Sequence, residues 1–234
     1  MIALNNIPKP VRLRSGLLEN GDRMTQAEFH RIYENYDEDV KFELVGGVVY
    51  MAAAMQHPHG SFHIKLSYAL EHFATATPGV EIADNASAIL GDGSEPQPDL
   101  SMRITTECGG QSYIDEQDYL TGAPELVAEI AHSSRAIDLH AKRDDYQRAG
   151  VIEYVVLCVE ERELHWFHFP TGENIEPTRE GIYRSRVFPG LWIDGPALMA
   201  KDSVQLRESV DRGVARREHA TFVRRLAATR KKTS

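Results

Sequence analysis

Cysteine is nearly absent: Cys108 and Cys158 are the two in 234 residues. They form no CxxC or CxxH pair, which argues against a sulfur-ligated zinc, and two free thiols in a reducing cytoplasm are expected. Long apolar runs are also missing. No segment approaches the ~18 residues of a membrane span. The first fourteen residues mix Ile, Leu, Asn, Pro, Lys and Arg, without the apolar stretch or cleavage pattern of a signal peptide. These absences predict a cytoplasmic chain with no membrane partner. There is no GxSxG elbow, phosphate-binding P-loop, GxGxxG fingerprint or HExxH pair, which removes serine hydrolases, nucleotide-binding folds and zinc proteases from the front rank. Repeats and low-complexity tracts are absent too.

Positive charge is in deficit overall, at a net −9. The deficit is uneven. From Lys201 onward there are ten Lys/Arg against four Asp/Glu, a local net of +6, leaving −15 on the first 200 residues. An acidic body disfavours broad, non-specific binding of nucleic acid. It is compatible with a metal-dependent nuclease, because clustered carboxylates become useful once a cation joins them. The basic C-terminal run is either a solvated helix face or a contact for a phosphate backbone.

What is present reads as an α/β domain. The length suits one large domain with a core of its own, divided here into an extended leader (1–23), a main domain (24–200) and a basic C-terminal helix and tail (201–234). Thr25 with Glu28 forms a capping-box pattern opening a helix to about Tyr36. Lys41–Val45 and Val48–Ala52 flank Gly46-Gly47 as a two-residue hairpin. Phe62, Leu66, Ala69, Leu70 and Phe73 recur at helical spacing, predicting a helix from His59 to Thr75. Strands are expected over Val80–Leu90, Pro98–Ile104, Pro124–Ala131, Val151–Val159 and Leu164–Phe169, with an edge strand over Ile182–Phe188. Thr105–Gly122 reads as a long polar loop, Ser134–Ala149 as a helix, and Ser203–Ala228 as one final charged helix. This order gives a mixed sheet flanked by helices, not a strict βαβ alternation.

Three acids sit where acids are costly. Glu43 lies within Phe-Glu-Leu-Val, Asp99 follows Pro98 at the head of an apolar strand, and Glu129 interrupts a buried run. A buried carboxylate must be paired, protonated or metal-bound. Singly, each could face outward or pair with an Arg. As a set they suggest a shared Mg2+ or Mn2+. His59 and His63 stand at i, i+4 and could chelate a transition metal, serve a neighbouring site, or face solvent. Ser133 or Ser134 suits a helix N-cap better than a nucleophile.

The ordered set Phe42-Glu-Leu-Val-Gly-Gly, His59, Pro98-Asp-Leu, Gly122-Ala-Pro-Glu-Leu-Val-Ala-Glu-Ile-Ala-His-Ser-Ser, Asp138 with Lys142 and Tyr146, Ala149-Gly-Val-Ile-Glu-Tyr and Phe188-Pro-Gly-Leu-Trp-Ile-Asp resembles the Uma-two family of restriction-endonuclease-like proteins, within the PD-(D/E)XK nuclease superfamily. The resemblance covers roughly residues 24–200. It implies a restriction-endonuclease-like mixed central sheet and a Mg2+ site (Mn2+ as substitute) held by Asp99, Glu129 and the Ile130 backbone carbonyl, with Glu43 joining directly or through water. The chain departs from the superfamily at Ala131, where a lysine usually stands two residues after the glutamate. Lys142 is the implied replacement. His59 is implied as an accessory residue, and Tyr146 either hydrogen-bonds in the site or packs in the core. The implied chemistry is hydrolysis of DNA phosphodiesters; the alternatives are an inactive nuclease-fold regulator binding DNA or protein, and a small-phosphoester metallohydrolase using the histidines. A homodimer through the last helix and the Trp192 region follows by fold-level analogy.

Overall fold

A computed structural model of the chain describes residues 17–36, 40–52 and 55–233. Most of the leader expected over 1–23 therefore lies outside the described residues. Helix α1 (Gln26–Tyr33) starts with the capping box predicted for it, Thr25 and Glu28 satisfying each other's backbone donors. Strands β1 (Phe42–Val45) and β2 (Val48–Met51) form the hairpin. Gly46 and Gly47 turn it with φ of 59° and 77°, the doubly positive pair that a tight hairpin requires. Helix α2 (His57–Thr75) buries Phe62, Leu66, Ala69, Leu70 and Phe73, the five residues its periodicity singles out.

The run expected as one strand over Val80–Leu90 is broken. It yields β3 (Val80–Asp84) and a two-residue β4 (Ala88–Ile89), which lie in different sheets. Asn85 separates them at φ 50°, a left-handed conformation no strand accommodates. Strand β5 (Leu100–Ile104) follows. The supposed polar loop after it contains a 3-10 turn at Thr106–Cys108 and two short strands, β6 (Tyr113–Ile114) and β7 (Leu120–Thr121), which pair with each other, β7 also pairing with β4. Then come β8 (Leu126–Ala131), a π-helical turn at Ile137–Lys142 running into α3 (Arg143–Ala149), β9 (Glu153–Cys158) and β10 (Glu163–His168). A short β11 (Glu173–Asn174) completes the central sheet, ordered β11-β10-β9-β8-β5-β3. Only β8 and β9 run parallel in it, with α3 as their crossover.

The expected edge strand over Ile182–Phe188 does not join this sheet. Its first part, β12 (Ile182–Arg184), forms a separate hairpin with β13 (Trp192–Asp194). A short helix, α4 (Gly195–Ala200), follows, and the single helix expected over Ser203–Ala228 is two elements: α5 (Ser203–Val214) and α6 (Arg217–Thr233). The break after α5 lets the chain fold back. Gly213 packs so tightly on the Gly190 carbonyl that a Cβ there would lie 2.1 Å from it.

Two cores sandwich the sheet. On one face, α2, α5 and α6 contribute Leu66, Phe73, Leu206, Val210, Phe222 and Leu226 against Leu126, Ala128 and Ile130 of β8. On the other, Leu139 and Tyr146 cover Val127, Ala131, Tyr154 and Val156. Side chains alternate along a strand, so Glu129 shares the face of Val127 and Ala131 and points toward α3. Both cysteines are buried and free. No described helix is long and apolar enough to cross a membrane.

Candidate functional site

The site forms where the β5–β8 ladder opens. The last paired residues are Leu100 and Ala128, so the register sets Asp99 opposite Glu129 and Pro98 opposite Ile130. Pro98 has no N–H to continue the ladder. Ile130 instead donates its N–H to Asp99 Oδ2 at 2.7 Å. The Asp99 N–H points to Glu129 Oε2 at 3.4 Å. Two carboxylates thus meet at a gap in the sheet that a single proline opens.

Three other elements deliver the remaining groups. From the π-turn, Lys142 Nζ donates to Glu129 Oε1 at 3.0 Å and to Glu43 at 3.0 Å, and lies 4.0 Å from Asp138 Oδ1. One helical turn on, the Tyr146 hydroxyl donates to Glu129 Oε1 at 2.8 Å. From the hairpin, Glu43 Oε1 also accepts the Gln97 N–H at 2.8 Å. From the start of α2, His59 Nε2 reaches Asp99 Oδ2 at 3.2 Å, while His63 Nε2 contacts the Asp99 carbonyl at 3.1 Å and Asp84 Oδ1 at 2.9 Å.

Ala131 and Lys142 are complementary. A lysine two residues after Glu129 would project from the same strand face; here that position holds a fully buried alanine. The helix crossing that face supplies the ammonium instead. On this turn Asp138 and Lys142, four residues apart, both face inward, where each is almost wholly buried.

The cluster holds four carboxylates, Glu43, Asp99, Glu129 and Asp138, and one lysine. Burial pushes the Glu129 carboxyl well above its usual range; Lys142 opposes this, and the three other acids reinforce it. Asp138 rises to about 6, chiefly through burial, despite Lys142 and the Ser134 hydroxyl donated to it at 2.5 Å. Asp99 goes down: burial raises it, but His59, the Ile130 N–H and Lys142 together prevail. Burial would lower Lys142, yet Glu129, Glu43 and Asp138 hold it well above its ordinary value. The Tyr146 phenol is raised by burial and by the acids beside it. The negative charge thus exceeds what one ammonium neutralises, and hard oxygen donors of this kind suit Mg2+ or Mn2+. Asp99 Oδ1 has no partner among the described residues. Lys142 stands between Glu43 and Glu129, and no three ligating side chains among the described residues surround one cation-sized point.

The structure therefore brings together Glu43, Asp99, Glu129, Lys142, His59 and Tyr146, with Ile130 contributing its N–H. Tyr146 hydrogen-bonds within the site while also packing in the core. The sequence offers Asp138 only as a companion of Lys142, without a role of its own. Its spacing of four from the lysine was the available signal, obscured because the same spacing on a regular helix is equally common on solvated faces.

Residues 26–196 match the family Uma2, described as "Putative restriction endonuclease". The chain belongs to this family. Among solved structures, a protein from Anabaena variabilis described as a "putative nuclease belonging to DUF820" is similar at a TM-score of 0.59 and 14% identity, over 76% of this chain and 98% of that one. At that identity the likeness shows the fold alone. No curated protein matches the chain. With the Uma2 membership goes a nuclease-like fold whose sheet gap carries the acidic cluster.

Proposed function

We propose that the chain is a Mg2+-dependent endonuclease hydrolysing DNA phosphodiester bonds at the Glu43/Asp99/Glu129 cluster, with Mn2+ as a substitute ion. The observation that carries this reading is Lys142, which reaches Glu129 and Glu43 at 3.0 Å from a different element than the strand position its relatives in the superfamily use. A buried lysine recruited to that carboxylate restores the chemistry that Ala131 removes. Asp99, Glu129 and the Ile130 carbonyl would hold the ion, with Glu43 direct or through water. The ion, when bound, supplies positive charge at a phosphoryl oxygen and acidifies a coordinated water. Lys142 then orients the water or stabilises charge developing on the phosphate. Tyr146 fixes the Glu129 carboxylate, and His59 fixes Asp99, so neither acid reorganises during the reaction.

A second reading is a nuclease-fold regulator that binds without cutting. It is favoured by Lys142 already standing among the carboxylates and by the acidic body. The deciding experiment follows cleavage of single- and double-stranded DNA while Mg2+ or Mn2+ is titrated, with Asp99→Ala beside wild type. Metal-dependent cleavage that falls at least about 100-fold in the variant, the usual scale for loss of a transition-state contact, supports the enzyme. Neither cleavage nor calorimetric metal binding leaves the regulator.

A further inference from the structure

The strongest cationic feature lies at the other end of the molecule from the acidic cluster. Three guanidinium groups gather on one indole. Arg184 lies 4.1 Å from the Trp192 ring centroid, Arg216 5.1 Å and Arg212 5.9 Å. They come from β12 and, 28 residues on, from the end of α5 and the turn before α6. Trp192 is nearly buried, whereas all three arginines are exposed. None of the three forms an ion pair within 4 Å among the described residues. Beside them opens a polar cleft of about 440 Å³. It adjoins a second cleft of about 370 Å³ edged by Arg217 and Arg225, and the two share Pro189 and Glu218. Glu218 and Glu180, the latter within the field of Arg184 and Arg212, are the acids at this place. Five arginines against two acids gather here, four of them from the C-terminal run that carries +6 on an otherwise acidic chain.

The spacing from the acidic cluster is set by α2. His59 at its start touches Asp99. At its other end, Phe73 and Thr77 pack on His219 of α6, beside Arg216 and Arg217. From His59 to Phe73, fourteen residues on, the helix rises about 21 Å, close to six base pairs of duplex.

We infer that the Arg184–Arg212–Arg216 cluster on Trp192 is an anchoring site for the phosphate backbone of DNA, engaged about six base pairs from the scissile phosphate. The inference rests on the nuclease reading. Guanidinium groups gathered over an aromatic ring and exposed to solvent keep N–H donors for phosphate oxygens, which a guanidinium can grip in pairs. Gathering three like charges is unfavourable by itself, and a polyanion relieves it. Because the anchor lies away from the carboxylates, it offsets the repulsion between duplex and acidic body.

The test uses the full chain without divalent metal, so that nothing is cut. Fluorescence anisotropy with a duplex of roughly 30 base pairs is followed across a salt series. Arg184→Gln/Arg212→Gln/Arg216→Gln should weaken binding at least about 10-fold and lower the salt slope by about 2 to 3, near one per lost phosphate contact. Replacement of the three by Lys should keep most of the slope. Should the triple variant fail to fold, Arg216→Gln alone should lower the slope by about 1. With metal present, cleavage of a duplex too short to reach the cleft should be unchanged in the variants. Unaltered affinity and slope in folded variants overturn the inference while the nuclease reading stands. Efficient competition by inorganic triphosphate overturns it in favour of a small-anion site. Wild-type protein that neither binds nor cuts DNA overturns both.

Discussion

Glu129 and Glu153 are both buried glutamates on neighbouring parallel strands of one sheet, yet they are satisfied in opposite ways. Glu153 accepts from the Trp166 indole at 3.0 Å, the Ser185 hydroxyl at 2.8 Å, and the backbone N–H groups of Arg186 and Val187 at 2.6 and 3.0 Å. Among the described residues no cationic side chain or second acid touches it. Burial still raises its carboxyl, but the four neutral donors pull against that rise. They fasten the turn at residues 185–188 onto the sheet. Glu129 instead shares one lysine with two further acids and lies opposite a fourth. A carboxylate enclosed by neutral donors is architecture; one crowded with other carboxylates is unstable alone and ready for a cation. The difference lies in the neighbours, because depth of burial is the same for both.

Substitution should separate the two most sharply. Glu153→Ala strands four donors and should lower stability by about 3 kcal/mol in denaturant unfolding, with cleavage per folded molecule unchanged. Glu129→Gln should do the reverse: cleavage falls at least about 100-fold, while the melting temperature holds or rises, because the site already favours the uncharged carboxyl. If both variants lose stability alike, the distinction is wrong.

A pH profile sharpens it further. Asp138 ionises at about 6 in the fold against 3.8 as an ordinary aspartate. Between those values the folded chain keeps a proton that the unfolded chain has released. Metal-free protein should therefore lose stability as pH rises from about 4 to 6, by up to about 3 kcal/mol. Asp138→Asn should flatten this part of the curve; an unchanged slope would assign it to another group. The smallest effect belongs to Tyr146→Phe. Loss of one hydrogen bond to Glu129, with the ring packing kept, should cost about 1 kcal/mol, and a cost near zero would show that Lys142 alone holds that oxygen.

Local signals were legible where the pattern was regular and the cap unambiguous. The capping box of α1, the Gly46-Gly47 hairpin, the apolar stripe of α2 and the buried runs of β8 and β9 all follow from side-chain period and turn chemistry. Failures came where tertiary contacts overrode them. Asn85 splits an apolar run, residues 113–121 pair despite their polarity, and the helix expected over Ser203–Ala228 breaks after Val214. Asp138 was obscure because a spacing of four from a lysine is equally common on solvated helix faces.

By itself the sequence determined that Glu129 lies on a buried strand, that alternation turns it to the face of Ala131, that Pro98 interrupts a ladder, and that Lys142 and Tyr146 share one helix face. These follow from periods of two and 3.6 residues and from a missing N–H. The tertiary structure alone decided that the face bearing Lys142 meets the face bearing Glu129, that Glu43 arrives from a hairpin 86 positions before it, and that three arginines from separate elements meet on Trp192. Contacts between distant segments arise from the packing of whole faces and the register of strand pairs, and no local stretch of sequence encodes either one.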